Sequence, residues 1–526
     1  MSSETLKFIN PATGVQFGEV KIATPDEVKA AVQEMRKAFP KWSGKSIKER
    51  AHILHKFQQV LIEERDNISN VLNQDCGKSR QDGLLELFVA VDMLVQYRWN
   101  AEKWLKRKRV HSGLYLFKRC YVENRPHGVV GIISPWNYPL TLSLPPMIAA
   151  LLAGNTVVLK PSEVTAATGV LIEGLFKKVP ELASFVRVVH GDGRTGAALV
   201  DSKPDYIFMT GSTATGKKIM QAAAETLTPV ALELGGKDAM IVLEDANLEA
   251  AARWGAWGAF FNTGQTCMSV ERVYVIESKY DEFVRLAVRQ AQELKSGYST
   301  EPNSPYFMGP ITDPRQVKII DDHLQDALDK GARVLAGGKN EGLFYDPIVI
   351  VDVNHNMKLM RDETFGPIMP IVKVRDEEEA IRLTNDNAYG LGASVWSMDI
   401  KHAKRVADRI EAGSIIINDS IAQFGVPMLP FGGTKDSGFG RTHGKEGLMQ
   451  FTRPYSFAIG GAPIKMDVAT VLREMGHYNL ATAIMGVLYG TTLRQKWETF
   501  SQFFFRKNKV TSSSSTVNSE PVTINK

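Results

Sequence analysis

The chain has 526 residues, of which 44% are hydrophobic, a length and composition typical of a globular protein with two or three domains. Its formal net charge of +5 is concentrated near the C-terminus, because residues 461–526 carry eight Lys/Arg and four Asp/Glu. Residues 1–460 are therefore almost neutral, which argues against a nucleic-acid-binding protein with a basic face. We interpret the basic run Lys106–Arg109 as a solvated surface segment, with a nuclear or nucleic-acid signal as the alternative.

Cysteine usage and hydropathy indicate a compartment. Cys76, Cys120 and Cys267 are widely spaced and form no CxxC pair, which argues against a disulfide framework and a cysteine-rich metal site. We therefore expect a reducing, cytoplasmic location and no bound metal. The N-terminal residues lack the apolar core of a signal peptide, and no long apolar run occurs, so neither secretion nor ordinary membrane spanning is expected.

The predicted elements fall into three groups along the chain. Residues 25–110 show helix-period apolar patterns, and from Tyr121 onward short apolar strands alternate with helical segments. The predicted strands are 128–133, 156–159, 185–189 and 206–209, then 239–243, 272–275 and 413–418. Strands separated by helices of this length favour right-handed βαβ units, so the pattern predicts two α/β domains with parallel sheets.

A glycine-containing turn, Met209–Gly216, directly follows a predicted strand and directly precedes a predicted helix. Glycines let the backbone approach an anion, and the N–H groups at a helix start favour a pyrophosphate. The spacing is Gly-x-x-x-x-Gly rather than the usual dinucleotide pattern. On its own, the turn therefore predicts an ordinary tight connection equally well.

Cys267 lies in the run Phe260–Cys267, downstream of Glu233–Lys237. Together the two segments predict a thiolate nucleophile with its own carboxylate base. Such a nucleophile needs either a lowered thiol pKa or a base gained when substrate binds. A lone cysteine is more often a buried small hydrophobe, and we keep that interpretation for Cys76 and Cys120.

Several segments resemble, in the same order, the motifs of the NAD(P)-dependent aldehyde dehydrogenase superfamily across roughly residues 5–457. The motifs are Pro135–Pro139, Lys160–Glu163, Met209–Ser212, Glu233–Lys237, Gly264–Cys267, Glu363–Pro367 and Pro430–Gly438. The resemblance implies an aldehyde dehydrogenase-like α/β fold with a Rossmann-type cofactor domain, an α/β catalytic domain and a small β oligomerisation element. It also implies a homodimer or homotetramer.

The resemblance implies the following domain boundaries. The cofactor-binding domain is expected at 1–113 and 131–235, the catalytic domain at 236–448, and the oligomerisation element at 114–130 and 449–460. Beyond the body of the family, we expect a C-terminal apolar and basic extension at 461–510 and a disordered tail at 511–526.

The resemblance also implies catalytic roles. Cys267 would attack the aldehyde to give a thiohemiacetal, whose oxyanion would accept hydrogen bonds from the Asn137 amide and the Cys267 backbone N–H. Hydride transfer to the nicotinamide would leave a thioester. Glu233 would activate water to hydrolyse it to a carboxylic acid, a role that favours a raised carboxyl pKa.

Cofactor residues are likewise carried over by resemblance. They are Trp136, Lys160, Ser162, Glu163, Gly211, Ser212, Gly216, Leu234, Glu363 and Phe365. Glu163 is placed to accept hydrogen bonds from the adenosine ribose, where a 2′-phosphate would meet a like charge. This favours NAD, with NADP as the alternative because Lys160 would soften the repulsion.

The substrate is expected to be a lipophilic aldehyde. By alignment of motifs, the entry channel is lined by Tyr138, Leu142, Phe261, Phe424, Met428 and Phe431. No arginine occurs among these positions, which favours a long-chain or isoprenoid, carotenoid-derived aldehyde over succinate semialdehyde or another small aldehyde. The alternative for each position is ordinary core packing.

Two further classes of protein are weighed against this hypothesis. A CoA-acylating relative usually lacks the glutamate base, so Glu233 argues against it. A catalytically inactive structural or binding protein would be expected to have lost Cys267, Asn137 or Glu233, and all three are present.

The extension combines apolar residues between Tyr478 and Leu493 with basic and aromatic residues in Arg494–Trp497 and Phe503–Lys507. Aromatic residues interleaved with Lys/Arg are typical of a segment at an anionic membrane surface. We expect peripheral membrane contact, with a helix packed over the enzyme's own surface as the alternative. Gly486 and Gly490 form a GxxxG pair, which is weak support outside a spanning helix.

Overall fold

A computed structural model describes residues 4–113, 118–460 and 478–505. The parts of the predicted oligomerisation element, extension and tail at 114–117, 461–477 and 506–526 lie outside the described residues. The chain divides into two compact units. The first comprises Met1–Lys108 and Val122–Ser456, and the second comprises Arg109–Tyr121 and Phe457–Lys526.

The first unit opens with a β-hairpin and four helices. Their bounds are β1 Thr5–Ile9, β2 Gln16–Lys21, α1 Pro25–Ser43, α2 Ile47–Glu63, α3 Arg65–Cys76 and α4 Arg80–Leu105. Capping boxes at Thr24/Glu27 and Ser46/Glu49 begin α1 and α2, because each pair satisfies backbone N–H groups that the first helical turn leaves unpaired. The helical prediction is confirmed for residues 25–105, whereas residues 108–110 form a short strand. The hairpin was not predicted.

A six-stranded sheet follows, in the order β19-β9-β8-β5-β6-β7. The strands are β5 Val129–Ile133, β6 Thr156–Lys160, β7 Val186–Val188, β8 Tyr206–Thr210, β9 Val230–Glu233 and β19 Gly438–Phe439. Strands β5 to β9 pair in parallel, and β19 pairs antiparallel with β9. The helices of this region are α5 Leu144–Ala153, α6 Ala166–Lys177, α7 Pro180–Ala183, α8 Gly193–Asp201 and α9 Thr213–Ala224.

The strand order of this sheet creates a crevice. The chain passes from β5 to β6 and β7 on one side of β5, and then returns to β8 on the other side. Ligands of parallel α/β sheets bind at such a reversal, outside the carboxyl ends of the strands. Here those ends carry Ser134–Asn137 after β5 and Gly211–Ser212 after β8.

A second sheet has the order β12-β13-β14-β11-β10-β16-β17. Its strands are β10 Asp238–Val242, β11 Val270–Ile276, β12 Arg333–Lys339, β13 Tyr345–Val351, β14 Ile368–Val374, β16 Gly392–Trp396 and β17 Ser414–Ile417. All neighbours are parallel except β12 and β13. A short pair joins β15 Tyr389–Gly390 to β18 Thr434–Lys435. The helices are α10 Leu248–Phe260, α11 Glu277–Glu293, α12 Pro314–Asp329, α13 Lys358–Arg361, α14 Glu377–Asn385, α15 Ile400–Ala407 and α16 Gly444–Met449.

Both faces of each parallel sheet are covered by a hydrophobic core. Alternate residues of β5 pack into different cores. Val130 and Ile132 belong to one core, and Val129 and Ile133 belong to the other. Strand β10 is shared in the same way between its two cores. Strands buried on both faces appear in a sequence as continuous apolar runs. This explains why the predicted strands and the predicted α/β class are confirmed.

A three-stranded sheet in the order β20-β4-β3 contains β3 Lys108–Val110, β4 Lys118–Pro126 and β20 Thr452–Gly460. The boundary between the two units falls within these strands. In the second unit the ring of Tyr121 stacks on that of Phe457, with 4.8 Å between centroids. The predicted domain boundaries and the oligomerising role of this segment stay predictions.

The second unit ends in two helices, α17 Tyr478–Tyr489 and α18 Leu493–Phe505. A Cβ at Gly486 would collide with the Thr499 side chain, so the absent side chain allows α17 and α18 to pack closely. Gly486 of the GxxxG pair therefore serves a contact within the extension. Among the described helices, none combines the length and apolar character that crossing a bilayer requires.

Candidate active site

Cys267 is held by a tight turn that precedes β11. Asn262 and Thr263 of the 3₁₀ turn Phe261–Gly264 adopt left-handed conformations, with φ of 51° and 59°. The Gln265 side chain fixes this turn, since its Nε2 donates to the Asn262 carbonyl at 2.9 Å and its Oε1 accepts from the Thr312 N–H at 2.8 Å. The turn therefore presents Cys267 in a defined position, and the residue is partly exposed.

Asn137 reaches this turn from the end of β5. The side-chain Nδ2 of Asn137 donates to the Gln265 backbone carbonyl at 3.1 Å. The backbone carbonyl of Asn137 accepts from Asn262 Nδ2 at 3.2 Å. A side-chain amide carries two N–H donors. One is engaged by Gln265, which leaves a second donor beside the turn that carries the thiol.

Glu233 ends β9 and is buried, with 5% of its surface exposed. Neither carboxyl oxygen makes a hydrogen bond to any described residue. Burial raises the pKa of Glu233 well above its usual range, and the charge of Arg441 only partly opposes this. The carboxylate is consequently a stronger base than one in water.

Glu233 and Cys267 line one small cavity of about 30 Å³. The other lining residues are Thr141, Leu142, Pro145, Pro146, Phe208, Thr210, Leu234, Leu391, Phe424, Phe431, Thr442 and His443. A Cβ at Gly236 would collide with the Cys267 carbonyl oxygen, so the residues after Glu233 pack directly against the nucleophile turn. The fold thus brings together the two segments that the sequence singled out.

The thiol of Cys267 does not have a lowered pKa. Although Cys267 as a whole is partly exposed, loss of water around its sulfur raises the pKa of the thiol above its ordinary value. The nearby carboxyl groups of Asp238, Glu363 and Glu233 raise it further. Of the two predicted routes to a thiolate, the structure is consistent with the second, in which a base acts once substrate is bound.

A larger apolar cavity of about 240 Å³ is lined in part by the same cysteine. Four predicted channel residues line it, namely Tyr138, Leu142, Phe261 and Phe424. Phe431 lines the small cavity instead, and Met428 lines neither of them. Met428 is 44% exposed, and its Sδ lies 3.9 Å from Asn100 Nδ2. No lysine or arginine occurs among the described residues that line the larger cavity.

The crevice between β5 and β8 is a cleft of about 660 Å³. Of the predicted cofactor residues, the cleft is lined by Trp136, Lys160, Ser162, Glu163, Gly211 and Ser212. Ser212 caps the N-terminus of α9, where backbone donors and the helix dipole favour a phosphate group. A half-buried carboxylate at Glu163 suits ribose hydroxyl groups. The residues present therefore fit a dinucleotide.

The other predicted cofactor residues lie beside this cleft. Gly216 allows close packing against Leu234, because a Cβ there would come 2.7 Å from Leu234 Cδ2. Glu363 Oε1 accepts a hydrogen bond from the Gly236 N–H at 2.9 Å, and burial raises the pKa of Glu363 to about 8. The ring of Phe365 meets Trp136 edge-on, with 5.5 Å between centroids.

A buried ion pair that sequence reasoning missed holds the loop after β5. Lys78 Nζ lies 2.9 Å from Glu86 Oε2, and both side chains are almost fully buried. Lys78 also donates to the Asn137 carbonyl at 3.0 Å, while Glu86 Oε1 accepts from the Leu140 and Thr141 N–H groups. The charges are thus satisfied by the loop that carries Asn137.

A second buried pair, Lys237 and Glu271, holds the segment that carries Phe365. Glu271 accepts hydrogen bonds from the Thr364 and Phe365 N–H groups at 2.8 and 2.9 Å, and Lys237 donates to Thr364 Oγ1. Lys237 is the last residue of the motif that begins at Glu233, but the sequence predicted no role for it. Lys78 lies in the loop between α3 and α4, and Glu86 lies on α4, where charged residues ordinarily face solvent. Nothing in the sequence distinguished either residue.

Two further side chains at these cavities were also missed. Arg315 lines the cofactor cleft, and its Nη2 lies 3.6 Å from Glu163 Oε1. His443 lines the small cavity beside Glu233. In the described part of the chain, no group of three or more His, Cys, Asp or Glu is placed to hold a metal ion.

A dinucleotide cleft that adjoins a thiol and a buried carboxyl group defines a nicotinamide-dependent oxidoreductase, and comparison with known proteins agrees. The profile of the Aldehyde dehydrogenase family matches residues 1–456. A 4,4'-diapolycopene aldehyde oxidase of Methylomonas sp is 40% identical over 455 residues, which cover 86% of this chain and 85% of that protein. A Mycobacterium ulcerans (strain Agy99) protein assigned as an NADP(+) succinate-semialdehyde dehydrogenase is 36% identical, covering 85% and 87% of the two chains.

A Mycobacterium tuberculosis aldehyde dehydrogenase, solved in complex with NAD+, superposes with a TM-score of 0.83 at 33% identity, covering 89% of this chain and 96% of that one. The chain belongs to the aldehyde dehydrogenase family and is an NAD(P)-dependent aldehyde oxidoreductase.

Proposed function

We propose that Cys267, Asn137 and Glu233 carry out the oxidation. Once the aldehyde is bound, Glu233 takes the proton of the Cys267 thiol and passes it to solvent, and the sulfur attacks the carbonyl carbon of the aldehyde. The resulting oxyanion accepts hydrogen bonds from Asn137 Nδ2 and the Cys267 N–H. When bound, the nicotinamide supplies the hydride acceptor. The carbonyl re-forms as a thioester on Cys267. Glu233 then takes a proton from water while the oxygen attacks the thioester carbon, and the C–S bond breaks to release a carboxylic acid.

The observation that carries this proposal is the shared cavity of Cys267 and Glu233. The carboxyl group has no partner among the described residues, and its raised pKa suits a base that must remove a proton from water. Asn137 is fixed to the nucleophile turn by its bond to Gln265, so the oxyanion donor needs little reorganisation.

We further propose a long-chain or isoprenoid, carotenoid-derived aldehyde as substrate. The cavity of about 240 Å³ is walled by Tyr138, Leu142, Phe261 and Phe424. The two acidic residues of its wall are Asp82 and Glu86, and they would repel a substrate carboxylate rather than bind it. Glu86 is already paired with Lys78. The 40% identical relative is a diapolycopene aldehyde oxidase, which supports this choice.

Turnover of an aldehyde series, from propanal to a long polyene aldehyde with succinate semialdehyde included, tests the substrate. We expect kcat/KM to climb with chain length by up to about fourfold per methylene while the chain fills the cavity, because each buried CH₂ contributes about 0.8 kcal/mol. The Cys267→Ala variant is the control for background reaction.

The alternative substrate is succinate semialdehyde, which the name of the 36% identical Mycobacterium ulcerans relative favours. A higher kcat/KM for succinate semialdehyde than for any apolar aldehyde would overturn the lipophilic proposal. Such a result would require a cation that binds the distal carboxylate. Arg315 cannot serve, because it lines the cofactor cleft.

We propose NAD as the preferred cofactor, with NADP as an alternative. Burial acts to raise the pKa of the Glu163 carboxyl group. This effect is outweighed by the charge of Lys160, by hydrogen bonding and by the charge of Arg315, which together hold the pKa below its ordinary value. The carboxyl group is therefore charged at neutral pH. Glu163→Gln removes this charge, and we expect the ratio of NADP to NAD kcat/KM to rise about tenfold, the equivalent of about 1.4 kcal/mol. Arg315→Gln is the matched control and should shift the ratio the opposite way; an unchanged ratio in Glu163→Gln would refute the assignment.

We propose that the enzyme forms a homodimer or homotetramer, and sedimentation velocity tests this oligomeric state.

We also propose that the C-terminal extension contacts a membrane surface. Large apolar side chains of α17 and α18 are exposed, including Leu488, Tyr489, Leu493 and Trp497. Exposed apolar side chains of this kind suit a segment that binds at a membrane surface.

Co-sedimentation with vesicles tests the membrane proposal. We expect binding to phosphatidylserine-containing vesicles that falls severalfold when Leu488 and Trp497 are both replaced by Glu. Leu227→Glu is the matched control. Leu227 is a leucine like Leu488, but it belongs to the first unit, where it is 89% exposed. Equal sedimentation of all three proteins would exclude the proposed contact.

A further inference from the structure

His443 is a buried polar side chain in an aromatic wall. Its exposed fraction is 1%, and its ring centroid lies 4.6 Å from that of Phe424 and 5.9 Å from that of Phe431. The Nδ1 atom is buried and makes no hydrogen bond to any described residue. Leaving a buried polar atom unpaired is ordinarily destabilising, so the position of Nδ1 calls for an explanation.

The ring lines the small cavity that Glu233 and Cys267 share. At about 30 Å³ the cavity exceeds the roughly 10–15 Å³ that a single buried water needs. Both His443 and Glu233 line the cavity, and His443 Nδ1 and the two Glu233 oxygens are buried polar atoms that no described residue satisfies. A water in the cavity would find the two to four polar partners that a buried water requires.

The charge of the ring is compatible with such a water. Burial lowers the pKa of His443 to about 3, so the imidazole is neutral at neutral pH and one of its nitrogens is an acceptor. A neutral ring neither neutralises Glu233 nor competes with it for the proton. It therefore leaves the basicity of the carboxylate intact.

We propose that His443 positions the hydrolytic water. One O–H group of the water donates a hydrogen bond to His443 Nδ1, and the other donates to Glu233. This inference rests on the proposed role of Glu233. With both O–H bonds engaged, a lone pair of the water oxygen is directed at the thioester carbon on Cys267. Glu233 takes the proton, the new C–O bond forms, and the thiolate leaves. His443 transfers no proton, and it acts as a positioning residue.

Pre-steady-state kinetics separate this role from a structural one. Stopped-flow NADH formation gives the rate of thioester formation as a burst, and the following steady state gives hydrolysis. In His443→Leu we expect the burst rate constant to stay within about twofold of wild type, while hydrolysis falls on the order of 10²-fold, as for a reactant misplaced by about 1 Å. Intact-mass measurement should then show the acyl group retained on Cys267.

Two further measurements complete the test. His443→Asn offers an amide oxygen near the position of Nδ1 and should recover much of the hydrolysis rate, and added hydroxylamine should restore turnover in His443→Leu because it attacks the thioester without a positioned water. Unchanged hydrolysis in His443→Leu would overturn the proposal, as would a burst and a steady state that fall together in both variants. If instead Glu233→Gln hydrolyses the thioester normally, the proposed base itself is wrong, which is a separate result.

Discussion

The Cys267→Ala variant should form no NADH from any aldehyde, a loss of at least about 10⁴-fold in kcat. The reason is that no other described cysteine lines the cavity beside Glu233, so no second nucleophile can replace the thiol. The loss should be measured as NADH absorbance under saturating aldehyde and cofactor, with cofactor binding checked separately to show that the cleft is intact.

Cys120→Ala is the matched control, because it makes the same substitution in a partly exposed cysteine that lines none of the three cavities. We expect it to retain wild-type turnover. Residual aldehyde oxidation in Cys267→Ala above background would mean that hydride is removed without a covalent intermediate, and the proposed chemistry would have to be abandoned.

The second large effect is expected for Glu233→Gln. The amide keeps the size of the carboxyl group but cannot accept a proton from the thiol or from water, so the thioester should form more slowly and then persist. We expect the first turnover to give a burst of NADH, followed by a steady state about 10²- to 10⁴-fold slower than that of wild type. Stopped-flow absorbance measures both phases.

The pH dependence of hydrolysis gives an independent check on Glu233. Its pKa is raised by burial, and a protonated carboxyl group is inactive as a base. Hydrolysis by the wild type should therefore rise as pH increases through this pKa, and the slow rate of Glu233→Gln should lack that rise. Glu225→Gln, at an exposed position, is the control and should behave as wild type. A rise with pH that survives in Glu233→Gln would assign the titration to another group.

Much of the fold could be predicted because its central strands are buried on both faces. Strands such as β5 and β6 consist of uninterrupted buried residues, and they stand out as apolar runs between helices. The hairpin β1–β2 was missed because its residues alternate between exposed and intermediate burial and carry no continuous apolar signal. Strand β20, which is mostly exposed, gave no such signal either.

The candidate site was predictable in its parts but not in its arrangement. The motif resemblance named Cys267 and Glu233, and only the fold shows that they line the same cavity. His443 could not have been singled out, since an isolated histidine beside a glycine-rich segment is ordinary in sequence terms. Its significance lies in an unpaired nitrogen, which depends on the surrounding side chains.

The two buried lysine–glutamate pairs bear on how this sequence can change over evolutionary time. Losing either partner of Lys78–Glu86 or Lys237–Glu271 strands a charge in the interior, which costs about 3–5 kcal/mol, against a total stability of about 5–15 kcal/mol for a typical protein. In each pair, a substitution of one residue is therefore tolerated only when the other residue is replaced as well. Channel walls such as Leu142 and Phe261 are not bound in this way and can vary singly. Divergence can thus retune which aldehyde is accepted while the loops that perform the reaction are inherited unchanged.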